Sequence, residues 1–160
     1  MPISDFTVHH VQVEANKAFA EVTKSFERRL GKFDPAVLRS TALEPESTRS
    51  RIEAMAGKSG FMLFDTMDHG AILSLFGVKK LAVQYVVGHP LIAIQMTRHN
   101  VAAGLYAPLR VLIYENVQGK TCLEYDKPSS LFGQFHNQAI DAVAATLDQK
   151  LEDLVKAAVG

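Results

Sequence analysis

The sequence predicts an α+β domain, a largely antiparallel sheet with long N- and C-terminal helices packed on one face. Three observations carry that prediction. Leu109 to Glu115 and Thr121 to Tyr125 are two strand-like runs joined by Asn116-Val117-Gln118-Gly119-Lys120, the pattern of an antiparallel hairpin. Helical apolar spacing is concentrated near the two ends of the chain. A doubly wound parallel sheet is the alternative, but no Gly-rich phosphate loop follows the first strand.

Taken in order, Phe6 to Val13 is β-branched and aromatic but changes alternation phase at His9-His10, so it is expected as a strand with an irregularity. From Ala15 to Leu30, Phe19, Val22, Phe26 and Leu30 fall three and four apart, and Gly31 stands where a helix C-cap belongs. Lys32 to Pro45 is expected as a loop with a helical turn near Pro35 to Ser40, followed by a short helix from Ser47 to Met55 that stops at Gly57. Phe61-Met62-Leu63-Phe64 opens a strand with no polar side, hence one covered on both faces. Asp68-His69-Gly70 then leads into a short apolar helix, Ala71 to Phe76.

Leu81 to Val87 is a further strand ended by Gly88, and Pro90 suits the first position of a helix from Leu91 to Arg98. After the hairpin, Ile140, Val143, Leu147, Leu151, Leu154 and Ala158 mark one face of a long closing helix. No repeat, low-complexity tract or linker interrupts residues 1–160, so one domain is expected.

Composition narrows the function classes. At 160 residues the chain is long enough to bury roughly 70% of its unfolded surface in one core. Apolar residues make up 48% and charged residues 21%, and no apolar run approaches the ~18 residues of a membrane span. Seventeen basic and seventeen acidic residues cancel without forming a long block, which argues against nucleic acid as a partner. The nearest approach to a basic stripe, Lys24, Arg28, Arg29 and Lys32, reads as the solvated C-terminal turn of a helix. Met1-Pro2-Ile3-Ser4-Asp5 shows no secretory pattern, and the lone Cys122 allows no internal disulfide, so the cytoplasm is the expected compartment.

The ordered set Asp68-His69-Gly70, Gly88-His89-Pro90, Ala107 to Leu112 and Tyr125-Asp126-Lys127-Pro128-Ser129 resembles the DUF302 family, small bacterial and archaeal domains named for unknown function. The resemblance runs from about Phe61 to the closing helix. It implies a TBP-like α+β fold, a frequent homodimer and no agreed activity. The family turn is usually Gly-Asn-Pro, whereas His89 stands here between Gly88 and Pro90.

Chemistry is expected where polar residues gather at strand ends. His69 beside Asp68 can act as an acid or base, or Asp68 can cap a helix while His69 packs. Arg98 and His99 read as the close of a helix. Arg110 precedes Val111-Leu112-Ile113 and is placed on the sheet face of Leu112 and Tyr114, where it calls for an internal carboxylate, Glu124 or Asp126, or for a bound anion. Tyr106, Tyr114 and Tyr125 can each bring a phenol to a pocket or serve as amphipathic core residues. Cys122 reads as a small buried hydrophobe. The six histidines show no zinc-helix spacing, so no metal is expected, and Gly57-Lys58-Ser59-Gly60 lacks the first glycine of a P-loop and reads as a turn.

The functional expectation is therefore a small-molecule or anion site at strand-end turns, drawing on His69, His89, Arg110 and Tyr106. The alternatives are an enzyme that uses His69 with Asp68, and a homodimeric interaction module. The cofactor is unknown from the sequence, and convergence of three histidines on a metal or haem through the fold stays open.

Overall fold

The structure is a computed structural model that describes residues 3–160. Six strands form one sheet in the order β1-β6-β5-β4-β3-β2. They are β1 (His10–Ala15), β2 (Gly31–Lys32), β3 (Met62–Asp68), β4 (Ala82–Gly88), β5 (Leu109–Glu115) and β6 (Thr121–Asp126). Every pairing is antiparallel except that of the two-residue β2 with β3. The helices are α1 (Phe19–Glu27), α2 (Pro45–Ala54), α3 (His69–Ser74), α4 (Pro90–Thr97), α5 (Pro128–Phe132) and α6 (Gln138–Val159), with 3-10 turns at Pro35–Ser40 and Val101–Tyr106.

Strand alternation sorts the sheet into two unlike faces. On one, Val11 and Val13 of β1, Leu123 and Tyr125 of β6, Val111 and Ile113 of β5 and Tyr85 and Val87 of β4 lie in register. They form the main core with Val22 and Phe26 of α1 and Ile140, Leu147, Leu151 and Leu154 of α6. Fully buried Phe26 stacks at a tilt on Tyr85, 5.1 Å between ring centres, and truncating it to alanine would cost about 3–5 kcal/mol. On the other face stand His10, Gln12, Glu124, Arg110, Tyr114 and Gln84, with α3 bordering the Gln84 and Tyr114 end. A smaller core of Val37, Ile52 and Met62 ties α2 and the Pro35–Ser40 turn to the edge of the sheet.

Local chemistry accounts for most of the boundaries. Pro35, Pro45, Pro90 and Pro128 each open a helical segment, where proline's missing N–H costs nothing. Asn137 caps α6 by accepting from the N–H groups of Ala139 and Ile140 at 3.0 and 3.2 Å. At the start of α1, Glu21 reaches back to the Ala18 N–H at 3.2 Å.

Three expectations need correction. The N-terminal helix is shorter than its apolar spacing suggests, because Ala15 pairs with Thr121 in β1 and the segment after Glu27 turns away. Gly31 is no C-cap: its N–H bonds the Phe61 carbonyl at 2.9 Å and it pairs with Met62. The first strand starts at His10 rather than Phe6, whose ring packs edge-on against Tyr106 at 6.0 Å.

Candidate functional site

Strand β4 runs between β3 and β5 and delivers Gly88-His89-Pro90 to one end of the sheet. His89 has extended backbone and caps α4 with its ring, Nδ1 accepting from the Leu91 N–H at 3.2 Å. That bond requires an unprotonated Nδ1 and leaves the proton on Nε2, which lies 3.6 Å from Glu53 Oε2. Burial holds the His89 pKa below the usual histidine value; Glu53 opposes the shift and Lys150 adds to it.

Val87 pairs with Leu109, so the segment entering β5 lies alongside the His89 turn, and its Ala107-Pro108 bond is cis. Between the two turns is a pocket of about 230 Å³. Its walls are Ile92, Ala93 and Met96 of α4, Leu109 of β5, Phe132 and Leu147 from α5 and α6, and Phe33, Leu38 and Phe64 from the opposite side. Phe33 and Phe64 stack at 4.5 Å. Apart from His89, whose Nδ1 is taken by the cap, every residue lining it is apolar or glycine.

The residues expected from sequence to form one site are distributed over the sheet. His69 lies at the other end of β4, roughly 20 Å from His89 by strand rise. Asp68 caps α3, its Oδ1 accepting from the Ala71 N–H at 2.8 Å. His69 lines a cleft on the sheet face opposite the main core with Gln84, Leu112 and Tyr114 and has no hydrogen-bond partner among the described residues. Arg110 shares its face with Leu112 and Tyr114 as expected, yet it is exposed and has no ion-pair partner among the described residues. The guanidinium keeps its contact with solvent, so a carboxylate is not needed to offset burial.

Glu124 and Asp126, the partners considered for Arg110, instead flank His10. The Asp126 contact is 2.9 Å and the Glu124 contact 3.3 Å, and together they raise the His10 pKa, with Asp126 the larger cause. Tyr114 donates to Glu124 at 2.5 Å and its pKa is pushed up to about 12, chiefly by that bond. Tyr106 is half-buried, its hydroxyl 3.4 Å from Gln134 Oε1 and its ring edge-on to Phe132 and Phe135. It shares a small recess with Arg110 and Asp126.

Sequence reading missed Phe33, Leu38 and Phe64 as pocket walls. The available signal was the bulky apolar pair Phe33 and Leu38 on either side of Asp34-Pro35, in a stretch too short for either structural period. Among the described residues no three His, Cys, Asp or Glu side chains gather as metal ligands, and no helix is long and apolar enough to cross a membrane.

A search of curated proteins returns no match. Among solved structures, the chain is similar to an uncharacterized conserved DUF302 protein from Bacillus stearothermophilus, with 18% identity over 93% of this chain and 97% of that one and a TM-score of 0.66. At that identity the likeness concerns the fold. The family model for the domain of unknown function DUF302 matches residues 36–158, which span β3 to β6 and α2 to α6, and the chain belongs to that family.

Proposed function

We propose that this domain binds a small, mainly apolar molecule in the pocket between the His89 turn and the Ala107-Pro108 turn. The observation that carries the reading is the composition of the wall: aromatic and aliphatic groups surround a space of about 230 Å³, with one buried imidazole at its edge. An apolar cavity of about 150 Å³ suffices for benzene, so a one- or two-ring ligand fits the volume. Binding is favoured over catalysis, because His89 commits Nδ1 to capping and keeps Nε2 toward Glu53. His69 and Arg110 stand outside this site. A cytoplasmic location belongs to the same reading, supported by the free, buried Cys122.

Toluene, indole and 1-naphthol are suitable probes, followed by thermal melting and by chemical shifts of the Ala93 and Leu109 methyls. At a hundredfold excess over Kd, a bound probe adds about 2.7 kcal/mol and raises Tm by several degrees. Ala93→Leu fills the pocket, and we expect it to abolish the probe response. No response to any probe in the native protein, or an equal response in Ala93→Leu, would remove the reading.

A second reading, self-association, rests on a different observation. Leu75 and Phe76 are 80% and 84% exposed, and Ile72, Leu73, Val78 and Leu81 are exposed beside them. A patch of this kind marks an interaction surface. A second copy suits it because the net charge is zero, so copies do not repel at long range. Sedimentation should give a dimer that Phe76→Ser converts to monomer; a monomeric native protein at high concentration would exclude it.

A further inference from the structure

We propose that a second, polar site lies further along α6: a cleft that takes a small phosphate-bearing ligand. Its first wall is the end of α1, where Arg28 and Arg29 stand. Arg29 donates to the Ser25 carbonyl at 2.7 Å and to Ser25 Oγ at 2.9 Å, so part of its role is to close that helix. The second wall is the Gly57 to Gly60 turn. Ser59 pins it, its N–H and hydroxyl both donating to the Arg29 carbonyl at 3.1 and 2.8 Å. This fixes Lys58 beside the two arginines.

The third wall is α6, and it brings Lys150. The ammonium lies against Gly60, where a Cβ would come within 2.8 Å of Nζ and where φ is +75°. Four cations from three separate elements thus line one cleft of about 660 Å³, a volume typical of small-molecule sites. One carboxylate, Asp153, accompanies them, and its Oδ1 accepts from Gln149 at 2.9 Å.

The local imbalance is informative because the chain as a whole is neutral. Lys127 and Lys156 are paired with Asp148 and Glu152, whereas Arg28, Lys58 and Lys150 have no ion-pair partner among the described residues. Attraction of cations to the C-terminal end of α1 accounts for Arg28 and Arg29. It does not account for Lys58 and Lys150, which arrive from a turn and from another helix. Like charges gathered in a concave site raise the local concentration of anions, and arginine forks together with lysine ammoniums match phosphate oxygens. The concavity favours a compact phosphate ester or diphosphate over an extended polymer.

Pyrophosphate and inorganic phosphate serve as probes, titrated by calorimetry and by amide chemical shifts at about 0.15 M salt, where diffuse surface attraction is screened beyond ~8 Å. Pyrophosphate should bind one-to-one and tighter than phosphate, with shifts confined to the 57–60 turn, the end of α1 and the Lys150 region. The double substitution Lys58→Gln, Lys150→Gln should weaken it roughly tenfold or more. Neither lysine has a hydrogen-bond or ion-pair partner among the described residues and Lys150 acts on His89 only through its charge, so melting should change little, and each single variant checks that. Absence of shifts at millimolar pyrophosphate, shifts spread over all surface lysines, or unchanged affinity in the double variant would overturn the site. So would tighter, lysine-dependent binding of single-stranded DNA.

Discussion

His89 can cap α4 only while its imidazole is neutral, since protonating Nδ1 turns the acceptor for the Leu91 N–H into a donor. Burial already keeps the folded pKa below the ordinary 6.5, so between 6.5 and the folded value the unfolded chain holds more protons. The contribution of His89 is therefore intact above pH 6.5 and is lost as pH falls through the folded pKa. His10 works in the opposite sense: its raised pKa gives stability that is present below 6.5 and fades as pH rises, but its side chain is 54% exposed and solvent weakens the effect. Urea unfolding at pH 7.5 and 5.5 should show the native protein losing stability on acidification. His89→Asn, which can keep the cap with a group that does not titrate, should show a smaller loss; an identical loss would mean that His89 is not responsible. At this scale the sequence was legible where chemistry is local. Capping by Asp68 was one of the two readings its neighbours allowed, because N-capping involves only the next three residues. Arg110 was harder, because its need for a partner depends on what covers the sheet, and no residue near it in sequence carries that information.

Elements were legible in proportion to their length and period. The β5-β6 hairpin and α6 emerged near their expected bounds because alternation and helical spacing persist over many residues. Strand β2 has two residues and α5 has five, too few to show a period, and both went unseen. Gly31 shows how a local signal can mislead. Its position after an apolar helical run suggested a cap, yet the requirement is close approach: a Cβ there would fall 1.6 Å from the Met55 carbonyl oxygen and 2.7 Å from the Gly57 nitrogen, both backbone atoms. Gly31→Ala must push β2 away from the end of α2. We expect a cost of about 3 kcal/mol, read from urea midpoints, with amide exchange accelerated first in the 31–33 and 57–61 segments, whose backbones bond each other. A loss below about 0.5 kcal/mol would show that the backbone relaxes there freely.

For the whole molecule, the α+β class followed from the pattern, but the strand order did not. Pairing β1 with β6 joins residues more than a hundred positions apart, which no local pattern announces. The candidate pocket was half legible for the same reason. The Gly88-His89-Pro90 side announced itself through turn chemistry, whereas Phe33, Leu38 and Phe64 reach the pocket only after the sheet edge is assembled. One long element touches both proposed sites. Leu147 forms part of the pocket wall and Lys150 part of the cleft, one turn apart on a helix of 22 residues, about 33 Å long. Were an occupant of the pocket to shift Leu147, strain passed along the packed helix would reach Lys150. In that case the factor by which an apolar guest changes anion binding would equal the factor by which the anion changes binding of the guest.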